Sequence, residues 1–167
     1  MMPVKILCAG VIALLAGQAH ADCMQALTVK FVEGAPRDRF EIIHTATGVF
    51  VTDIRIDLAS SSGGLIFDTE PGGAGVEVFQ PFTAGEGIDA AEIADGADQI
   101  NMRLDALSAG QRTGFTIDVD DRNAQSDLGQ IRVTGSEITG ARVIFTLADG
   151  DQLEAEFDAE SRAKVCI

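Results

Sequence analysis

An all-β fold, two antiparallel sheets packed as a sandwich, is predicted by three observations. Apolar and polar residues alternate at a period of two through most of the chain, and no long stretch keeps a helical period. Each alternating run has one apolar face, as expected of sheets packed on one side only. Glycine, proline, asparagine and aspartate recur between the runs, giving eight to ten short strands of an immunoglobulin-like or jelly-roll-like sandwich.

The runs can be taken in order. Leu27, Val29 and Phe31 alternate with Thr28 and Lys30, and Phe40 and Ile42 lead to His44 on the same side. Phe50, Ile54, Ile56 and Leu58 share one parity, with Asp53, Arg55 and Asp57 on the other. Val76 and Val78 form a short run, and Ile100, Met102 and Leu104 stand opposite Asn101, Arg103 and Asp105. Phe115, Ile117 and Val119 alternate with Thr116, Asp118 and Asp120. Val143, Phe145 and Leu147 precede Asp149-Gly150, and Leu153, Ala155 and Phe157 follow it, which is a strong hairpin signal. Leu104, Leu107, Gly110 and Phe115 have the spacing of a chain crossing between sheets, with the glycine at a tight corner. Asp89 to Asp95 is expected to form the one short helical turn, and Gly72 to Gly75 a flexible turn.

Residues 1–21 read as a cleaved secretory signal: Lys5, an apolar stretch from Ile6 to Gly17, then Ala19-His20-Ala21 as the cleavage pattern. The apolar stretch is shorter than the roughly 20 residues of a membrane span. Residues 22–167 then form one domain, in the periplasm or secreted, with no membrane insertion after cleavage. It has 11 basic against 26 acidic residues, a net charge of −15. That balance disfavours nucleic acid and anionic lipid, which are bound through Lys and Arg patches. Two cysteines remain, Cys23 and Cys166, at the two ends of the domain. In an oxidising compartment they are expected to form a disulfide, the alternatives being free thiols or pairing between chains.

Catalytic residues are scarce. His44 is the one histidine left after cleavage, no G-x-S-x-G elbow is present, and the chain has no Trp or Tyr with which to stack a sugar. The best candidate site is Asp118, Asp120 and Asp121 with Asn123 and Asp127, where a strand runs into a polar loop. Calcium takes six to eight oxygen ligands, and such a segment offers them over a short length. The plainer reading is a solvated acidic strand end. Asp57 and Asp68, flanking a loop of small residues, form a second and weaker acidic group. Phe79 and Phe82, around Gln80-Pro81, mark an edge strand and offer a small apolar patch for a partner; otherwise they plug the end of the sandwich.

Four segments carry a resemblance to a known group: Phe31 to Phe40 (FVEGAPRDRF), Gly64 to Asp68 (GLIFD), Gly75 to Phe82 (GVEVFQPF) and Phe115 to Asp121 (FTIDVDD). Together they resemble short exported alphaproteobacterial proteins labelled aggregation factor core proteins. The resemblance spans most of residues 22–167 and implies adhesion or matrix association. It adds weight to calcium at Asp118, Asp120 and Asp121, and it carries over no catalytic residue. The expected function is therefore a non-catalytic, calcium-assisted interaction module that binds a protein or a matrix or surface polymer, with no required cofactor. A small carboxylate-based hydrolase, and a subunit completed by a partner's β-strand, are the alternatives.

Overall fold

Alternation sorts each strand into a buried and an open face, and the buried faces meet in a common interior. The structure, a computed structural model, describes residues 23–34, 37–76, 80–122 and 133–167. In the first sheet, β1 (Ala26–Val32) lies between β11 (Arg162–Cys166) and β2 (Asp38–His44). Next to β2 comes β8 (Arg112–Asp121), whose far side is shared by β5 (Thr83–Ala84) and β4 (Leu65–Asp68). The second sheet runs β10 (Gln152–Glu156), β9 (Arg142–Leu147), β3 (Val51–Asp57), β7 (Gln99–Leu107) and β6 (Ile88–Glu92). Every strand pairing among the described residues is antiparallel. The expected two-sheet sandwich is present, with eleven strands among the described residues where eight to ten were expected.

Register explains the core. Phe40 pairs with Phe31 on one side and with Phe115 on the other. Its ring therefore meets both, at centroid distances of 5.1 and 4.8 Å, the latter stacked. Phe67 and Phe157 complete the set at 6.1 and 6.4 Å. Phe145, Ile54, Ile56, Ile100 and Met102 supply the opposing layer. Each fully buried side chain of this size contributes about 1.5–3 kcal/mol over leaving it exposed. Phe82 rests on Phe115 at 5.5 Å and is half-buried, packed against the core at its margin.

Turns fall where their chemistry puts them. The Asp149-Gly150 hairpin joins β9 to β10, with Gly150 at φ +94° and the Leu147 amide donating to the Asp151 carbonyl. The Leu104–Phe115 stretch does carry the chain from the second sheet to the first. Leu104, Leu107 and Phe115 are buried and Gly110, at φ +84°, donates to the His44 carbonyl.

Two expectations need correcting. Phe50 is half-exposed and Val51 buried in its place, because a register shift between Val51 and Asp53 breaks the simple parity. The segment expected as a helical turn holds β6, drawn into the sheet by β7. The helical turn lies instead at Gly135–Ile138, where Thr134 and Glu137 form a capping box.

The chain ends meet. Ala26 pairs with Cys166, the Ile167 amide donates to the Gln25 carbonyl, and Cys23 and Cys166 lie 5.8 Å apart at Cα with their sulfurs bonded.

Candidate functional site

Strand β8 changes character along its length. Over Phe115, Ile117 and Val119 its inner face is apolar, and its outer face carries Thr116, Asp118 and Asp120. Outer-face residues of a sheet normally meet water. Here they do not: Asp118 is 8% exposed and Asp120 2%. The expectation of a solvated acidic strand end is thus overturned.

Register supplies the third carboxylate. Strand β4 pairs with the end of β8 so that Asp68 stands directly opposite Asp118, and Ile66 opposite Asp120. Directly opposed side chains in such a pair are about 4.5–5.5 Å apart at Cβ, and like charges there repel. Asp68, Asp118 and Asp120 each present one oxygen, all within 4.8 Å of one another. All three are buried, Asp68 at 1% exposure.

What excludes water is the loop after β4. Asp95 accepts the Thr69 amide on one oxygen and the Ala74 amide on the other, at 3.0 and 2.7 Å, which ties the loop down. The Val76 amide then donates to Asp120 Oδ2 at 2.8 Å. Between them, Gly75 passes so close that a Cβ would run into Asp120 Oδ2 and Asp68 Oδ2. The glycine run expected as a flexible turn is instead the cover of the carboxylate group. No side chain but hydrogen fits at Gly75.

The electrostatics are those of an uncompensated group. Burial pushes the Asp118 carboxyl up to about 7, with the charges of Asp120 and Asp68 adding to it. Burial likewise lifts Asp120 to about 6, against the Val76 hydrogen bond, with Asp68 and Asp121 contributing. Asp68 is raised by burial and by its contact with Asp95, while Asp95 is lowered by the Thr69 and Ala74 amides. Beside them Asp38 is buried and pushed up to about 7, although the Gly34 amide donates to it at 3.1 Å. No Lys or Arg among the described residues forms an ion pair with these carboxylates. Two ion pairs among the described residues, Arg39–Glu41 and Arg142–Glu154, are on the surface. Arg122 follows the cluster directly, yet its guanidinium donates to the Gly96 carbonyl. Among the described residues, Asp118 Oδ2 has no hydrogen-bond partner, and neither oxygen of Asp121 has one.

Of the residues singled out from sequence, the structure brings Asp118 and Asp120 together. Asp121 is also buried, but it shares the inward parity of Ile117 and Val119. Asn123, Asp127 and Phe79 lie outside the described residues. Asp57 and Asp68 separate: Asp57 accepts from the Ala59 amide and the Gln99 amide group, while Asp68 joins Asp118. Asp38 and Asp95 were not singled out. Asp95 sits 27 residues before Arg122 in a loop of ordinary acidic composition, and only the fold of the 69–76 loop gives it a role. His44 is fully buried, with Nε2 3.1 Å from the Val49 carbonyl and burial lowering its pKa. That describes a core histidine, closed off from any substrate.

A second feature lies on the open face of the first sheet. A groove of about 640 Å³ runs over β2, β5 and β8, floored in part by Gly85 and Gly114. Arg37, Arg39 and Arg112 border it, all exposed. Arg39 pairs with Glu41 at 2.7 Å, and Arg37 donates to the Gln80 side chain at 3.2 Å.

No family model, curated protein or solved structure matches this chain. No helix among the described residues is long and apolar enough to cross a membrane.

Proposed function

We propose that this chain is an exported, non-catalytic interaction module of the adhesion type, which engages a partner protein through the open face of its first sheet. The observation that carries this reading is the groove bordered by Arg37, Arg39 and Arg112. On a domain of net charge −15, three of the 11 basic residues border one concavity. Its small-residue floor leaves the backbone accessible to an extended segment, and its rim offers guanidinium groups to acidic side chains. Arginine suits such a rim because its planar fork binds carboxylates through two hydrogen bonds.

Export is supported by the N-terminal pattern and by the Cys23–Cys166 pair, since such bonds persist in oxidising compartments. The resemblance to aggregation factor core proteins points the same way, toward adhesion. A hydrolytic role is less well supported, because its acid and base would need to line an open cleft, whereas Asp68, Asp118 and Asp120 are roofed by the 69–76 loop.

The test uses the mature domain, fluorescently labelled, added to cells of the source organism. Retention on the cell surface is expected, with a loss of at least tenfold in a variant carrying Arg37→Glu, Arg39→Glu and Arg112→Glu. Equal retention of that variant, or no retention of the unaltered domain, would overturn the reading.

A further inference from the structure

We infer that Asp68, Asp118 and Asp120 form an interior site for a hard divalent cation of calcium's size, which locks the 69–76 loop onto the end of β8. The inference stands apart from the choice of partner and from the groove, which lies on another stretch of the same sheet.

Three independent observations converge on it. The first is spacing. Oxygens bound to one calcium ion sit about 2.3–2.6 Å from it, so two of them can be up to roughly 5 Å apart. The three carboxylate oxygens fall within 4.8 Å of one another. Magnesium keeps most of its water, for which a covered site has little room. The second observation is an orphan. Asp118 Oδ2 is buried without a hydrogen-bond partner among the described residues, on a side chain that feels the charges of both Asp120 and Asp68. A buried acceptor left unpaired is costly, more so when charged, and buried charges are ordinarily paired or coordinate a metal. No Lys or Arg among the described residues supplies that pair.

The third observation is the cover. Gly75 lets backbone lie directly over Asp120 and Asp68, and backbone carbonyls are ordinary calcium ligands. Asp95 and the Val76 amide hold that loop in place from either side. A cation under this loop would neutralise the carboxylates and link the loop to β4 and β8 at once.

This ligand set differs from the one expected from sequence. Asp68 replaces Asp121, which faces inward, and the ligands come from two paired strands in place of one strand and its following loop.

The experiment takes the mature domain, stripped with chelator, and titrates it calorimetrically with calcium chloride and separately with magnesium chloride. Melting curves are recorded in parallel at 10 mM of each ion. One calcium site with a Kd between about 10 μM and 1 mM is expected, with a melting temperature raised by about 5 °C or more. The Asp118→Asn variant is expected to melt higher than the unaltered domain without metal, since it removes one buried charge, and to lose at least tenfold in calcium affinity. A role in packing alone would not produce those opposite signs. Asp149→Asn, in the exposed β9–β10 turn, is expected to change neither. Absence of calcium heat and of a melting shift would overturn the inference. So would undiminished binding by Asp118→Asn, or a magnesium response equal to that of calcium.

Discussion

Strand β8 buries one stretch of its length with aromatic and aliphatic carbon and the next with carboxylate. At Phe115 the inner face stacks against Phe40 at 4.8 Å, and that burial is stabilising without any further partner. Three residues on, the outer face buries Asp118 and Asp120 beneath a loop, where burial alone is costly. The two regions reach similar exposure by opposite physics. The apolar region needs only shape and area, while the acidic region is consistent with the rest of the fold only if something neutralises it. The domain's melting behaviour is therefore expected to respond to carbon volume at one end of β8 and to protons and cations at the other.

The largest effect belongs to the apolar region. Phe40→Ala would remove the ring that touches Phe31, Phe67, Phe115 and Phe157. A loss of about 3–5 kcal/mol is expected, read by urea unfolding, and it should be the same in calcium as in chelator. A calcium-dependent loss would mean that the two regions are one cooperative unit.

Next comes the clasp at the chain ends. Closing 143 residues with a disulfide is worth about 5 kcal/mol in the chain-entropy model, and removal of a native bond commonly costs about 2–5 kcal/mol. Cys23→Ser with Cys166→Ser should fall in that range while keeping the sandwich, because the β1–β11 pairing and the Ile167–Gln25 hydrogen bond hold the ends on their own. Far-ultraviolet circular dichroism that lost its β signal at low temperature would show the bond to be essential instead.

How far these regions were legible in the sequence follows the same division. Period two is a local property, so the apolar faces of Leu27–Phe31, Ile100–Leu104 and Phe115–Val119 could be read directly, and so could the Asp149-Gly150 hairpin. Phe50 was misread because a register shift is a property of two strands together. The acidic site was half legible. Asp118 and Asp120 stand out as a string, but their burial depends on the 69–76 loop, and their third member depends on β4 pairing with β8. No local pattern announces that Asp68 will face Asp118 across 50 residues of chain.

Two substitutions sharpen the boundary between the regions, each of about 1–3 kcal/mol. Gly75→Ala would place a methyl group against Asp120 Oδ2 and Asp68 Oδ2, forcing the loop away. It should destabilise the domain and weaken calcium binding together. Asp121→Asn is expected to do the reverse for stability, since both oxygens of Asp121 are buried with no hydrogen-bond partner among the described residues, and an amide costs less to bury than a carboxylate. Because Asp121 faces inward, this gain should persist in calcium. A gain confined to chelator would assign Asp121 to the cation instead.

The most specific effect is the dependence on pH without metal. In chelator, Asp38 and Asp118 hold protons up to about pH 7 and Asp120 up to about 6, while the unfolded chain releases them near 3.8. Between those limits the folded state binds more protons than the unfolded one, so stability falls as pH rises. The metal-free domain should therefore melt several degrees higher at pH 5 than at pH 8. His44 works the other way: its lowered pKa means the unfolded chain takes up a proton first as pH drops, which trims the gain below about 6.5. Calcium should reverse the slope, because bound cation replaces the protons at high pH and protons displace it at low pH. Melting curves at pH 5 and pH 8, with and without calcium, would then cross. Parallel curves would leave the carboxylates of β4 and β8 without the role their burial demands.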